Sequence, residues 1–155
     1  MLGRRTQLAL SIALGLTAAS CGTKTDATLA VYAQNLTLAK VSGPFGAKLE
    51  GSVDIVCDLG HWATGPVEVQ TIGLRLVRDG QPVLVDAKLV PASPLPLTVQ
   101  PSSKATITYS ITQQLAAADE TAACAGPLGV SGSVTTSAEA AVAVGTSAVA
   151  VTGCP

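Results

Sequence analysis

The sequence is short of the residues from which most catalytic and cofactor sites are built. It has one histidine, His61, few aromatic side chains (3%), and charged residues make up only 12% of its 155 positions. A single imidazole leaves a Ser–His–Asp hydrolase only His61 as its base, and no Gly-x-Ser-x-Gly elbow accompanies it. Cys57 and His61 supply two ligand types four residues apart, fewer than a zinc site needs. The few rings argue against a carbohydrate surface built from several stacked aromatics. Seven Lys/Arg face ten Asp/Glu once the first 20 residues are set aside, and this weak acidic balance excludes electrostatic capture of nucleic acid.

What the chain does contain is small and β-prone. Apolar residues reach 48%, mostly Ala and Val, with Thr and Ser filling much of the rest. Val and Thr favour half-buried strands, and 15 Gly with 9 Pro supply turns. The composition predicts an all-β domain with a core of small side chains.

The first twenty-one residues read as a targeting segment. Arg4 and Arg5 precede the apolar run 8–16 (LALSIALGL), and small residues Ala18, Ala19 and Ser20 follow. That is the tripartite pattern of a secretory signal, with an apolar run too short to span a membrane. The stretch Thr17-Ala18-Ala19-Ser20-Cys21-Gly22 resembles the lipobox of bacterial lipoproteins, with Ala18 where leucine is usual. The resemblance implies cleavage after Ser20, diacylglycerol on the Cys21 thiol, and membrane attachment through the lipid. The competing reading is an ordinary signal peptidase site at Ala-x-Ser with Cys21 incidental. Gly22 after the cysteine fits an outer membrane where the cell has one, and otherwise the outer face of the plasma membrane. The organisation expected is a signal peptide (1–20), a lipidated tether (21–27) and one domain (28–155).

Alternation of apolar and polar residues marks strands along that domain. The clearest is 47–58, with Ala47, Leu49, Gly51, Val53, Ile55 and Cys57 on one face; Val56 is the exception on the other. A first strand is expected over 29–40, with a turn at Gly43-Pro44. In 67–78 the phase slips near Gln70-Thr71, which predicts a β-bulge. Asp79-Gly80 then signals a hairpin with a return strand over 83–90, and Pro91, Pro94 and Pro96 confine that segment to an edge or a crossing between sheets. Residues 103–112 alternate cleanly around Ile107, Tyr109 and Ile111. A short helix is expected within the Ala-rich 113–124. Strands follow over 128–136 and 140–152, the last either pairing with its predecessor or folding about Gly145-Thr146.

About seven strands at roughly ten-residue spacing predict a single antiparallel β-sandwich. The run from Val67 to Ile111 resembles bacterial immunoglobulin-like and fibronectin-III-like modules. In those a strand ends at a Asp-Gly hairpin and a later Leu-x-Val-x-Pro segment leads into another strand, here Leu97-Thr98-Val99-Gln100-Pro101 before Ala105 and Ile107. The immunoglobulin Cys…Trp…Cys spacing is absent, since Trp62 lies five residues after Cys57.

With Cys21 lipidated, three cysteines remain to pair in an oxidising compartment. A hairpin of the last two strands about Glu139 places Cys124 and Cys154 at equal distances from its centre, and Cys57 on a buried strand face. Cys124–Cys154 therefore ranks first and Cys57–Cys124 second, ahead of Cys57–Cys154 or no bridge. A turn at Gly145 instead would separate Cys124 from Cys154.

The candidate binding loop is 59–65, carrying His61 and Trp62. A lone tryptophan more often plugs the end of a sandwich core, so a core role for Trp62 is the leading expectation and stacking on a ligand the alternative. Asp54, Asp58 and Asp86 match no calcium-loop spacing and read as solvated strand-face charges. No cofactor, metal or catalytic residue is expected. The reading is a non-enzymatic, lipid-anchored envelope module that contacts a protein partner, with a small-molecule or carbohydrate binder as the alternative. An exposed edge at 83–90 is the place where a partner strand could add.

Overall fold

A computed structural model describes residues 29–155. The expected signal peptide (1–20) and lipidated tether (21–27), with Cys21, lie outside the described residues. Within them the chain forms β1 (Leu29–Gly43), β2 (Gly46–Leu59), β3 (Val67–Arg78), β4 (Gln81–Pro82), β5 (Lys88–Pro91), β6 (Leu97–Val99) and β7 (Ser103–Leu115). These are followed by helix α1 (Ala117–Cys124), β8 (Gly129–Thr136) and β9 (Val142–Gly145). One sheet has the order β1-β2-β7-β5; the other runs β4-β3-β8-β9, with β6 also on β3. Every strand pair in both sheets is antiparallel. This is an all-β sandwich, and its strand order is that of an immunoglobulin constant-type domain with two short strands, β4 and β6, added along the edge of β3.

The inner face of the first sheet comes from period-two alternation. Leu49, Val53, Ile55, Cys57 and Leu59 on β2 are buried, and Ile107, Tyr109, Ile111 and Leu115 on β7 meet them. From the second sheet, Val67, Val69, Leu76, Val130, Val134 and Val144 complete the core. Tyr109 is the one aromatic residue in it. Val56, on the outer face, is nonetheless only 2% exposed; Tyr32 and Thr106 lie directly across from it on the neighbouring strands.

Nine strands are present among the described residues, where about seven were expected. The bulge expected in β3 is there, as a register shift between Val69 and Thr71. Asp79 and Gly80 both take positive φ (50° and 78°), which a two-residue hairpin turn matched to strand twist requires. The expected return strand over 83–90 is not continuous. Only Gln81–Pro82 pairs with β3 before Leu84 adopts a positive φ of 55° and turns into the core, 6% exposed. The chain then crosses to the first sheet, where β5 forms an edge on β7. The second addition is β6, which takes the part of the β3 edge that β4 leaves open.

β9 pairs with β8, so the last strand is one arm of a hairpin with its predecessor. Beyond it the chain returns to β1. Thr152 accepts from the Lys40 N–H (2.8 Å), and its own N–H donates to the Leu38 carbonyl (3.0 Å), a parallel bridge closing one side of the sandwich. Helix α1 is eight residues long with no side-chain N-cap, too short to persist unaided. Three tethers hold it: a disulfide from Cys124 to Cys154, a Lys40–Glu120 ion pair of 2.7 Å, and Arg78. Arg78 Nη2 donates to the Ala122 and Gly126 carbonyls at 2.7 and 2.9 Å, satisfying acceptors that a helix C-terminus leaves open.

The pairing registers define two poles. Leu29, Leu59 and Ser103 are aligned across β1, β2 and β7. The chain therefore enters β1 at the pole that also carries the 60–66 loop and the β8–β9 turn. The β1–β2 turn, the β3–β4 turn, α1 and the C-terminal Cys154 occupy the other. Fourteen residues of β2 separate them, about 45 Å at strand rise.

Candidate functional site

At the pole where Leu29 enters, β2 ends at Leu59 and the chain turns through Gly60, whose carbonyl accepts from Ala63 and Ser102. The first bond closes the loop on itself and the second anchors its base to the β6–β7 connection, leaving its tip outside the core. Trp62 is 68% exposed. The expectation that it plugs the sandwich is therefore corrected. Leu59, Val67 and Val99 are the buried side chains at that end of the core. His61 lies beside it, ring centroids 4.6 Å apart and planes inclined by 43°. The two rings form an exposed aromatic tip.

The opposite pole carries a residue that sequence reasoning missed. Phe45, in the β1–β2 turn, is 94% exposed, and Val85, in the crossing from β4 to β5, is 81% exposed. Gln114 Nε2 donates to the Phe45 and Ala47 carbonyls (3.1 and 3.0 Å), which stiffens the turn's backbone and leaves the ring free of the core. The only sequence signal was Phe45 between Gly-Pro and Gly, an apolar residue where turns are normally polar. Of the four aromatic residues, Tyr109 is buried and the other three are exposed to differing degrees.

The other candidate residues are not brought together. Cys57 is free and fully buried, facing the core, while His61 is exposed in the loop. Burial pushes the Cys57 thiol above its ordinary 9.0, the opposite of what a nucleophile or thiolate ligand needs. Asp58 pairs with Lys104 at 2.8 Å. Asp54 accepts from the Thr108 hydroxyl (2.6 Å) and the Asn35 amide (2.9 Å). Asp86 lies apart from both, near Lys48 and Gln114. No group of three or more potential metal ligands occurs among the described residues. A shallow, open depression of about 540 Å³ beside the β1 bulge is lined mainly by Leu36, Leu38, Gly51 and Val149. No helix among the described residues is long and apolar enough to cross a membrane.

The edge strand β5 ends in Pro91 and pairs over four residues, so little of it is available to an added strand. Its exposed apolar residues, Val85 before it and Val90 within it, offer side-chain rather than main-chain contacts. No family model, curated protein or solved structure matches the chain.

Proposed function

We propose that this protein is a non-enzymatic, lipid-anchored module of the cell envelope. In this reading Cys21 carries the lipid, and the β-sandwich presents an apolar tip to a protein partner. The observation that carries it is the 94% exposure of Phe45 at the pole opposite Leu29, with Val85 exposed at the same end. A phenylalanine in water forgoes about 2 kcal/mol of burial free energy, and a core that uses only one of four aromatic side chains leaves the tip ring for an external surface. The lipobox-like stretch at Cys21 supports the anchor.

The test is a photo-cross-linking residue placed at Phe45 in intact cells, with one at Gln70 on a strand face as control. A discrete adduct at Phe45 and none at Gln70 is expected; no adduct at Phe45 overturns the tip as a contact surface. Globomycin, which blocks lipoprotein signal peptidase, should leave the precursor unprocessed, and normal processing in its presence removes the anchor.

The exposed His61–Trp62 pair also supports the alternative, a small-molecule or carbohydrate binder working through the 59–65 loop. A single indole offers one stacking face, however, where saccharide binders usually combine several.

A further inference from the structure

Trp62 is a large apolar side chain held 68% exposed on a loop whose base is pinned by two hydrogen bonds to Gly60. Its position in the fold says what it faces. Leu29 is paired with Leu59, three residues before Trp62, so the chain arriving from Cys21 joins the domain at the same pole. Cys21 and Leu29 are eight residues apart, and eight residues span at most about 29 Å when fully extended. The far pole is about 45 Å away along β2. A lipid on Cys21 therefore keeps the Trp62 pole within reach of the bilayer, whereas the Phe45 pole lies farther from the attachment point than the tether is long.

Resting on the lipid-anchor reading, we propose that Trp62 seats this pole of the sandwich in the headgroup layer of the membrane that holds Cys21. Indole is suited to that layer, because its ring is apolar and its N–H can donate to headgroup oxygens and water. The charges at the same pole define the lipid. Asp58 and Lys104 neutralise each other as an ion pair, while Glu68 and Glu139 are exposed and acidic. The surface therefore fits a zwitterionic phospholipid and gains nothing from an anionic one. Two points of attachment, the lipid and the indole, fix the direction in which the Phe45 tip points, where the lipid alone would leave the domain free to swing.

Trp62 is the chain's single tryptophan, so its intrinsic fluorescence reports this contact without a label. The full-length acylated protein is reconstituted into phosphatidylcholine vesicles, and its co-flotation with them is checked first. The expected result is a blue-shifted emission that is strongly quenched by lipids brominated near the headgroup end of the acyl chain, and little quenched by lipids brominated near its terminus. A Trp62→Phe, Phe45→Trp double variant, which moves the indole between two exposed sites, should give an aqueous, unquenched spectrum. Protein that floats but keeps an aqueous Trp62 spectrum overturns the proposal while leaving the anchor in place, and a shift produced by soluble oligosaccharide instead assigns the loop to ligand binding. Equal quenching of the indole at both poles also overturns it. Protein that fails to float removes the anchor reading, and the proposal with it.

Discussion

Cys124 closes α1 and is bonded to Cys154, with Cα atoms 5.5 Å apart, two residues after Thr152 has bridged to β1. One covalent link thereby ties the connection between the two sheets to the returning C-terminal segment. The two cysteines are 30 residues apart, and a loop of that size restricts the unfolded chain by about 3–4 kcal/mol. A Cys124→Ala, Cys154→Ala double variant should lose stability of that order, read as a lower urea midpoint with an altered slope as the unfolded state expands. In the native protein Cys57 should resist alkylation until the sandwich unfolds, because it is fully buried and burial raises its thiol above 9.0.

Arg78 reaches from the end of β3 to two carbonyls around the end of α1. An Arg78→Met substitution keeps the aliphatic stem but abandons both acceptors, which should cost about 2 kcal/mol. Hydrogen exchange should localise the loss, with the amides of α1 deprotected before those of β2 and β7. Uniform loss across the sheets would show that the guanidinium does not hold the helix.

The hydroxyl of Thr108, and then the amide of Asn35, hold the Asp54 carboxyl below the ordinary 3.8, with partial burial opposing them. Since the folded value is depressed, the stabilisation is present in full above the unfolded value near 3.8 and is lost as pH falls through the folded one. Thr108→Val should return the Asp54 titration toward 3.8, measured by carboxyl NMR, and should flatten the acid limb of the stability profile. An unchanged titration would remove Thr108 as the principal cause.

Gly132 and Gly73 lie on adjacent strands, one position out of register, yet they should behave oppositely. A Cβ on Gly132 would overlap the Gly73 carbonyl oxygen, whereas one on Gly73 meets nothing within 4 Å. Gly132→Ala should destabilise the β3–β8 pair by about 2 kcal/mol or more, and Gly73→Ala should be neutral or slightly stabilising. Thermal unfolding midpoints of the two variants decide it.

Alternation along β2 and β7, and the slip at Gln70-Thr71, made the two sheets' central strands legible, because one buried face forces a period of two. The bulge in β1, between Gln34 and Thr37, was not legible: Asn35 takes a positive φ of 55°, an accessible state for asparagine that leaves no mark in the apolar pattern. Leu84 was harder still. A leucine with positive φ has no local signature, so the break between β4 and β5 could be placed only by the core that Leu84 fills. The exposure of Trp62 and Phe45 depends on which residues already close each end of the sandwich, and that is a property of packing rather than of composition.

The bond from Cys154 to α1 also sets where the segment after β9 leaves the domain. Leu29 begins at one pole and Pro155 stands at the other, so anything joined after Pro155 is carried outward by the length of the sandwich. A reporter fused there would survey the neighbourhood of the Phe45 tip, and a second domain in that position would extend the molecule as a stalk instead of folding back beside it.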